Sequence, residues 1–152
     1  MTDIIFIRGI PGTGKSTEAE RLSSEHDRHL FEIIESDEFW LHPKSKEYDF
    51  DHAHLPHAHE FAQAKFRRAL YHEIEWVFVA NTLCQQWELD IYLTIINDYG
   101  GVKRVSIINM EKEFGSDHKL SEREIERFRG RYIPLLNTKI LKYVKGENLH
   151  VS

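Results

Sequence analysis

The chain has 152 residues, 41% of them hydrophobic and 12% aromatic, enough for one domain with a real core and too apolar for a disordered segment. Lys and Arg number 20 against 25 Asp and Glu, a net charge of −5, which excludes a general nucleic-acid coat protein. A nucleic-acid ligand would need a local basic channel on this acidic body. The single Cys84 excludes an internal disulfide and suits a reducing compartment. No apolar run approaches the roughly 20 residues of a membrane span, and the N-terminus enters a strand at once, so no signal peptide is expected. The expected setting is cytoplasmic.

Ile4, Ile5, Phe6 and Ile7 form a short, mostly β-branched block that reads as a buried parallel strand. The next stretch, Gly9-Ile10-Pro11-Gly12-Thr13-Gly14-Lys15-Ser16, fits G-x-x-x-x-G-K-[ST], the phosphate-binding loop. Thr17 to Leu22 is a helix-forming run. Strand, glycine loop and helix is the context this motif requires. Gly9, Gly12 and Gly14 let the backbone approach a ligand, and Pro11 and Thr13 lie between them. Successive N–H groups then cradle phosphate oxygens, helped by the positive end of the helix that continues through Thr17. Lys15 reaches the β- and γ-phosphates of ATP, and the Ser16 hydroxyl is the metal ligand, placed to sit on Mg²⁺.

Residues 29 to 35 read as the second strand, carrying Leu30, Phe31, Ile33 and Ile34. It ends at Ser36-Asp37-Glu38. In open α/β sheets ligands bind at the C-terminal edge of the strands, so Asp37 is a candidate to face the loop's ligand. Alternatively, Ser36 or Asp37 caps a short helix through Phe39, Trp40 and Leu41. Residues 43 to 56 are polar and bracketed by Pro43 and Pro56. His52, His54, His57 and His59 have metal-ligand chemistry, but Pro56 interrupts them and no cysteine joins them. Pro56 suits the start of a helix to about Glu73, with Phe61, Ala62, Phe66, Ala69 and Leu70 as its buried stripe. Lys65, Arg67 and Arg68 are either a solvated face or one wall of an anionic channel.

The third strand is Trp76 to Ala80, ending at Asn81-Thr82. Many phosphate-loop enzymes place a metal-binding carboxylate there. With Ala80 and Asn81 instead, either Asp37 and water complete the metal shell or metal binding is weak. A helix from about Gln85 to Tyr99 repeats Trp87, Ile91, Ile95 and Tyr99 at intervals of four and stops at Gly100-Gly101. Val102 to Asn109 is the fourth strand. Ser121 and Glu124 have capping-box spacing. The helix they start places Arg123, Arg127 and Arg131 on one face, a solvated face or part of a lid over the phosphates. Ile140, Leu141, Tyr143 and Val144 offer one last short strand.

Several pieces together resemble a known family. They are the loop from Ile7 to Thr17, Ser36-Asp37-Glu38-Phe39, Tyr48 to Asp51 with Ala58-His59, Asn81-Thr82 with Trp87-Glu88, and Arg127 with Arg131-Tyr132. The resemblance is to the small ATP-binding kinases of phages and bacteria that group with phage polynucleotide 5′-kinase. It implies a single P-loop NTPase domain over 1–152, a three-layer α/β/α fold. The parallel sheet would have four strands, or five with the tail, and a small lid would span about 110–131. It also implies ATP with Mg²⁺ and transfer of the γ-phosphate to a hydroxyl acceptor such as a nucleic-acid 5′ end. Catalysis would fall to Asp37, which takes the proton from the 5′-hydroxyl in that family, and to Lys15. Two departures stand out: Trp40 replaces an arginine that holds the acceptor phosphate, and the lid-arginine region near Glu111 to Phe114 offers only Lys112. Arg123 or Arg127 would substitute as nucleotide-binding groups. A phosphotransferase and a nucleotide-binding module without transfer both remain open.

Overall fold

The computed structural model describes residues 1–41, 52–110, 121–133 and 149–151. The strands are β1 (Thr2–Arg8), β2 (Phe31–Ile34), β3 (Trp76–Asn81), β4 (Val102–Asn109) and β5 (Leu149–Val151). They form one sheet in the order β2-β3-β1-β4-β5, and every pairing is parallel. The helices are α1 (Lys15–Ser23), α2 (Leu55–Tyr71), α3 (Gln86–Tyr99) and α4 (Glu122–Arg131).

Successive strand residues point to opposite faces, and both faces of β1 are covered. Ile4 and Phe6 join a core with Ala62 and Phe66 of α2 and Leu89, Leu93 and Ile96 of α3. Ile5 and Ile7 pack on the other side with Ala19 of α1 and with Phe78 and Ala80. The result is three layers, α/β/α. In register, Arg8 at the end of β1 stands beside Asn81 of β3 and Asn109 of β4. The C-terminal edge therefore brings together residues far apart in the chain. Among the described residues, no helix is long and apolar enough to cross a membrane.

Some local expectations change. The second strand is shorter, because Arg28–Leu30 forms a 3-10 turn before Phe31. The fifth strand is Leu149–Val151, whereas Ile140 to Val144 lie outside the described residues, as do Tyr48 to Asp51 and 111–120 of the expected lid. On α2, Phe61 is 39% exposed, while Ala58 joins the buried stripe. On α3, Ile95 is buried and Ile91 packs against the core as expected, but Trp87 and Tyr99 are exposed, and Leu89, Tyr92, Leu93 and Ile96 complete the buried face. A spacing of four overshoots the 3.6-residue turn, so the two ends of a long four-apart row rotate off the core face.

Candidate active site

The loop between β1 and α1 is built from close approaches. A side chain at Gly9 would meet Thr13 Oγ1 at 2.5 Å and the Met110 carbonyl at 2.7 Å, so only glycine fits without displacing backbone. Gly12 and Gly14 take φ of 86° and 84°, the left-handed region that glycine adopts without cost. Buried Thr13 donates from its hydroxyl to Ile10 O at 2.9 Å. Lys15 Nζ donates to the same carbonyl at 3.0 Å. Ser16 and Thr17 are exposed in the first turn of α1, and Pro11 is half-buried. Burial pulls the Lys15 ammonium down to about 8, against the charge of Asp37, which favours its protonated form.

Asp37 lies in a 3-10 turn, Ser36–Trp40, immediately beyond β2. Asn81 holds the start of this turn. Its Oδ1 accepts from Ser36 N at 2.8 Å and from Ser36 Oγ at 3.2 Å, while its Nδ2 donates to Tyr92 Oη at 3.1 Å. The residue standing where a carboxylate was expected is thus a strut between β3, α3 and the Asp37 turn. Glu38 points elsewhere and accepts from Lys65 Nζ at 2.9 and 3.1 Å. Lys65 also donates to Ile33 O at 3.0 Å, so it ties α2 to the end of β2. Arg67 and Arg68 are exposed. Trp40 is only 5% exposed and packs edge-on against Phe39, 5.0 Å between ring centroids.

Of the α4 arginines, Arg123 and Arg127 are exposed, whereas Arg131 approaches Glu88 at 3.4 Å. Ser121 Oγ accepts from Glu124 N at 3.2 Å, the cap that the spacing predicts. The far end of α4 is anchored: Ile133 N donates to Cys84 O at 2.8 Å and Gln85 Nε2 to Arg131 O at 2.6 Å. Among the described residues, no three His, Cys, Asp or Glu side chains form a metal-holding group. His59 faces Trp87, 6.4 Å between ring centroids, while His54 and His57 lie together.

The AAA_33 family model, described as an AAA domain, matches residues 4–132. The chain belongs to this family. Its strand, glycine loop and helix are those of a P-loop NTPase fold. NEDD4-binding protein 2 of Homo sapiens is 29% identical over 92 residues, 60% of this chain, which spans only 5% of that relative's length. The crystal structure of a fungal RNA kinase matches with a TM-score of 0.60 at 17% identity, covering 99% of this chain and 72% of that one. Kti12 of Chaetomium thermophilum, in complex with ADP-AlF3, matches with a TM-score of 0.58 at 10% identity over 98% of this chain and 88% of its own. A chain of the Pnkp1/Rnl/Hen1 complex gives 0.56 at 16% identity over 93% of this chain and 43% of its own. At these identities the structural likenesses speak for the fold alone.

Within this AAA domain, Glu35 is the residue that reading the sequence missed. Its carboxyl is pushed up by burial and partly restored by a hydrogen bond from the Ser16 side chain, with Glu38, Asp37 and Glu20 adding repulsion. Its position just beyond β2, at the edge where open α/β sheets bind ligands, was a usable signal. The donors gathered here are hydroxyl and carboxylate oxygens, the hard ligands that suit Mg²⁺. Arg8 was also missed. It is wholly buried and reaches Leu83 O, Asn109 Oδ1 and Ile133 O at 3.0, 2.8 and 2.6 Å, with the Tyr132 ring 4.2 Å from its guanidinium.

Proposed function

We propose that this AAA domain transfers the γ-phosphate of ATP to a hydroxyl, foremost the 5′-hydroxyl of a polynucleotide or of a related nucleoside or small molecule. The observation that carries the reading is Asp37: a half-buried carboxylate at the β2 edge whose charge acts on the loop lysine. A nucleotide-binding loop needs no such carboxylate merely to hold phosphate. The family membership supports a kinase, and the fungal RNA kinase among the structural neighbours suits a nucleic-acid acceptor.

In this reading the backbone N–H groups of residues 9 to 16 and the Lys15 ammonium hold the phosphates, with Pro11, Thr13 and Thr17 shaping the loop. Ser16 would hold Mg²⁺, and Glu35, which accepts from the Ser16 hydroxyl, would orient it. Bound Mg²⁺ would supply charge neutralisation at the β- and γ-phosphates. Asp37 accepts a hydrogen bond from the attacking hydroxyl, aims it at phosphorus and takes its proton. Because phosphoryl transfer is loose, aiming is the larger part of its task. Arg123 and Arg127 on α4 contact the phosphates from the lid side, the lid covering about 110–131 of one domain that spans 1–152.

Trp40 favours a second reading. It is buried where the resemblance expects an acceptor-holding arginine, which suits an ATP-binding module or slow ATPase acting through a partner. Incubation with γ-labelled ATP, Mg²⁺ and a panel of 5′-hydroxyl RNA, 5′-hydroxyl DNA, nucleosides and small alcohols separates the two. Label on an acceptor is expected. Nucleotide binding with label released only as inorganic phosphate would establish the second reading instead.

A further inference from the structure

Three exposed rings gather beside the turn that carries Asp37. Phe39 is 38% exposed and Phe61 39%. Their ring centroids lie 6.2 Å apart, with the planes tilted by 51°. His57, also exposed, stands 6.5 Å from Phe39. His57 and Phe61 are four residues apart on α2, so they share the face that meets the Ser36–Trp40 turn. Trp40 is buried and backs the Phe39 ring edge-on at 5.0 Å. Single exposed aromatics are ordinary, but rings in one contiguous exposed group mark a binding surface.

Position and charge point to one occupant for this platform. Phe39 is two residues past Asp37 in the same turn, so their Cα atoms are within about 7 Å of each other. A nucleotide spans a comparable distance from its 5′-oxygen to its base. Glu38, the carboxylate between them, is paired with Lys65 at 2.9 Å, so its charge is offset. The α2 helix carries Lys65, Arg67 and Arg68 against Glu60 alone, a positive element on a chain of net charge −5. Exposed Arg68 lies seven residues beyond Phe61 and so returns to the same face two turns on. Rings for bases beside cations for phosphates are the features that hold single-stranded nucleic acid. Resting on the kinase reading above, we infer that the base of the acceptor's first nucleotide stacks on Phe39 and Phe61 while its 5′-hydroxyl meets Asp37. Every base has a flat face, so the platform serves all four.

The test uses two 5′-hydroxyl oligonucleotides of one sequence at saturating MgATP, one complete and one lacking the base of its first nucleotide. The wild type should use the complete one about tenfold better in kcat/KM, the scale of one base stacked on an aromatic ring. Phe61→Ala changes an exposed helix position that alanine suits. It should bring the complete oligonucleotide close to the abasic one and leave the KM of ATP unchanged. Phe61→Trp keeps a ring and should retain the preference. A wild type that uses both oligonucleotides equally overturns the inference without any variant. So does a Phe61→Ala protein that keeps the full preference, which would leave the patch to a protein partner. Transfer to small alcohols but to no oligonucleotide overturns the inference and leaves the kinase reading standing, whereas transfer to no acceptor overturns both.

Discussion

The charge of Asp37 acts on Lys15, and the role proposed for each predicts something measurable. The Lys15 ammonium is held at about 8 by burial. In the unfolded chain it stays charged to an ordinary lysine value, so between these two limits stability gains as pH rises. Polyphosphate at the loop favours the charged form, so nucleotide binding near pH 8 should take up on the order of half a proton. Calorimetry in buffers of different ionisation enthalpy reads this directly. Uptake should fade at pH 6.5, where Lys15 is already charged, and vanish in Lys15→Ala; equal uptake in that variant would assign the proton elsewhere. For Asp37, replacement by Asn keeps the size and removes the charge. It should leave ATP binding nearly intact and slow transfer roughly 10²-fold or more. Glu38→Gln is the control, since Glu38 is engaged by Lys65 rather than by the loop. A normal rate in Asp37→Asn, or greater damage in Glu38→Gln, would refute the assignment.

The turn after β2 is an element held from outside itself. Its first residue gives both donors to Asn81, and Asn81 in turn is held by Tyr92, whose phenol burial pushes up and keeps neutral. Asn81→Ala strands a backbone N–H and a tyrosine hydroxyl in a buried setting. It should cost about 1–3 kcal/mol of stability and lower Tm by roughly 2–10 °C. Because the turn carries Asp37 and not the phosphate loop, transfer should fall further than nucleotide affinity. Thermal melts with an ATP titration and a rate measurement check this. Loss of affinity equal to the loss of rate would mean that Asn81 supports the loop instead.

Across the whole molecule, Arg8 joins parts that no single element connects. It extends from the end of β1 and binds the β3–α3 connection, β4 and the segment after α4. Burial lowers its pKa, so the charge is kept by these carbonyl and amide oxygens and by the Tyr132 ring. Arg8→Met should cost about 2–4 kcal/mol, since several buried acceptors lose their donor. The loss is expected to concentrate on α4: amide exchange of residues 122 to 131 should quicken more than that of β1 and β4. Exchange that quickens uniformly would show that Arg8 supports the sheet as a whole rather than fastening α4.

The phosphate loop, the parallel strands and the three layers were legible because their signals are local. Gly9 through Ser16 is contiguous, and the apolar block of β1 has strand composition over its own length. Even the α4 cap follows from two residues three apart. Asn81 and Arg8 could not be read that way. Asn81 looked like a missing metal ligand, since its bond to Ser36 spans 45 residues. Arg8 looked like a loop flank, yet it is fully buried and reaches a carbonyl 125 residues away. Polar residues have no period, and their partners are set by which strand ends the sheet order brings to one edge. Local pattern therefore determined the fold and the nucleotide loop, while the parallel crossovers alone decided which polar side chains surround it.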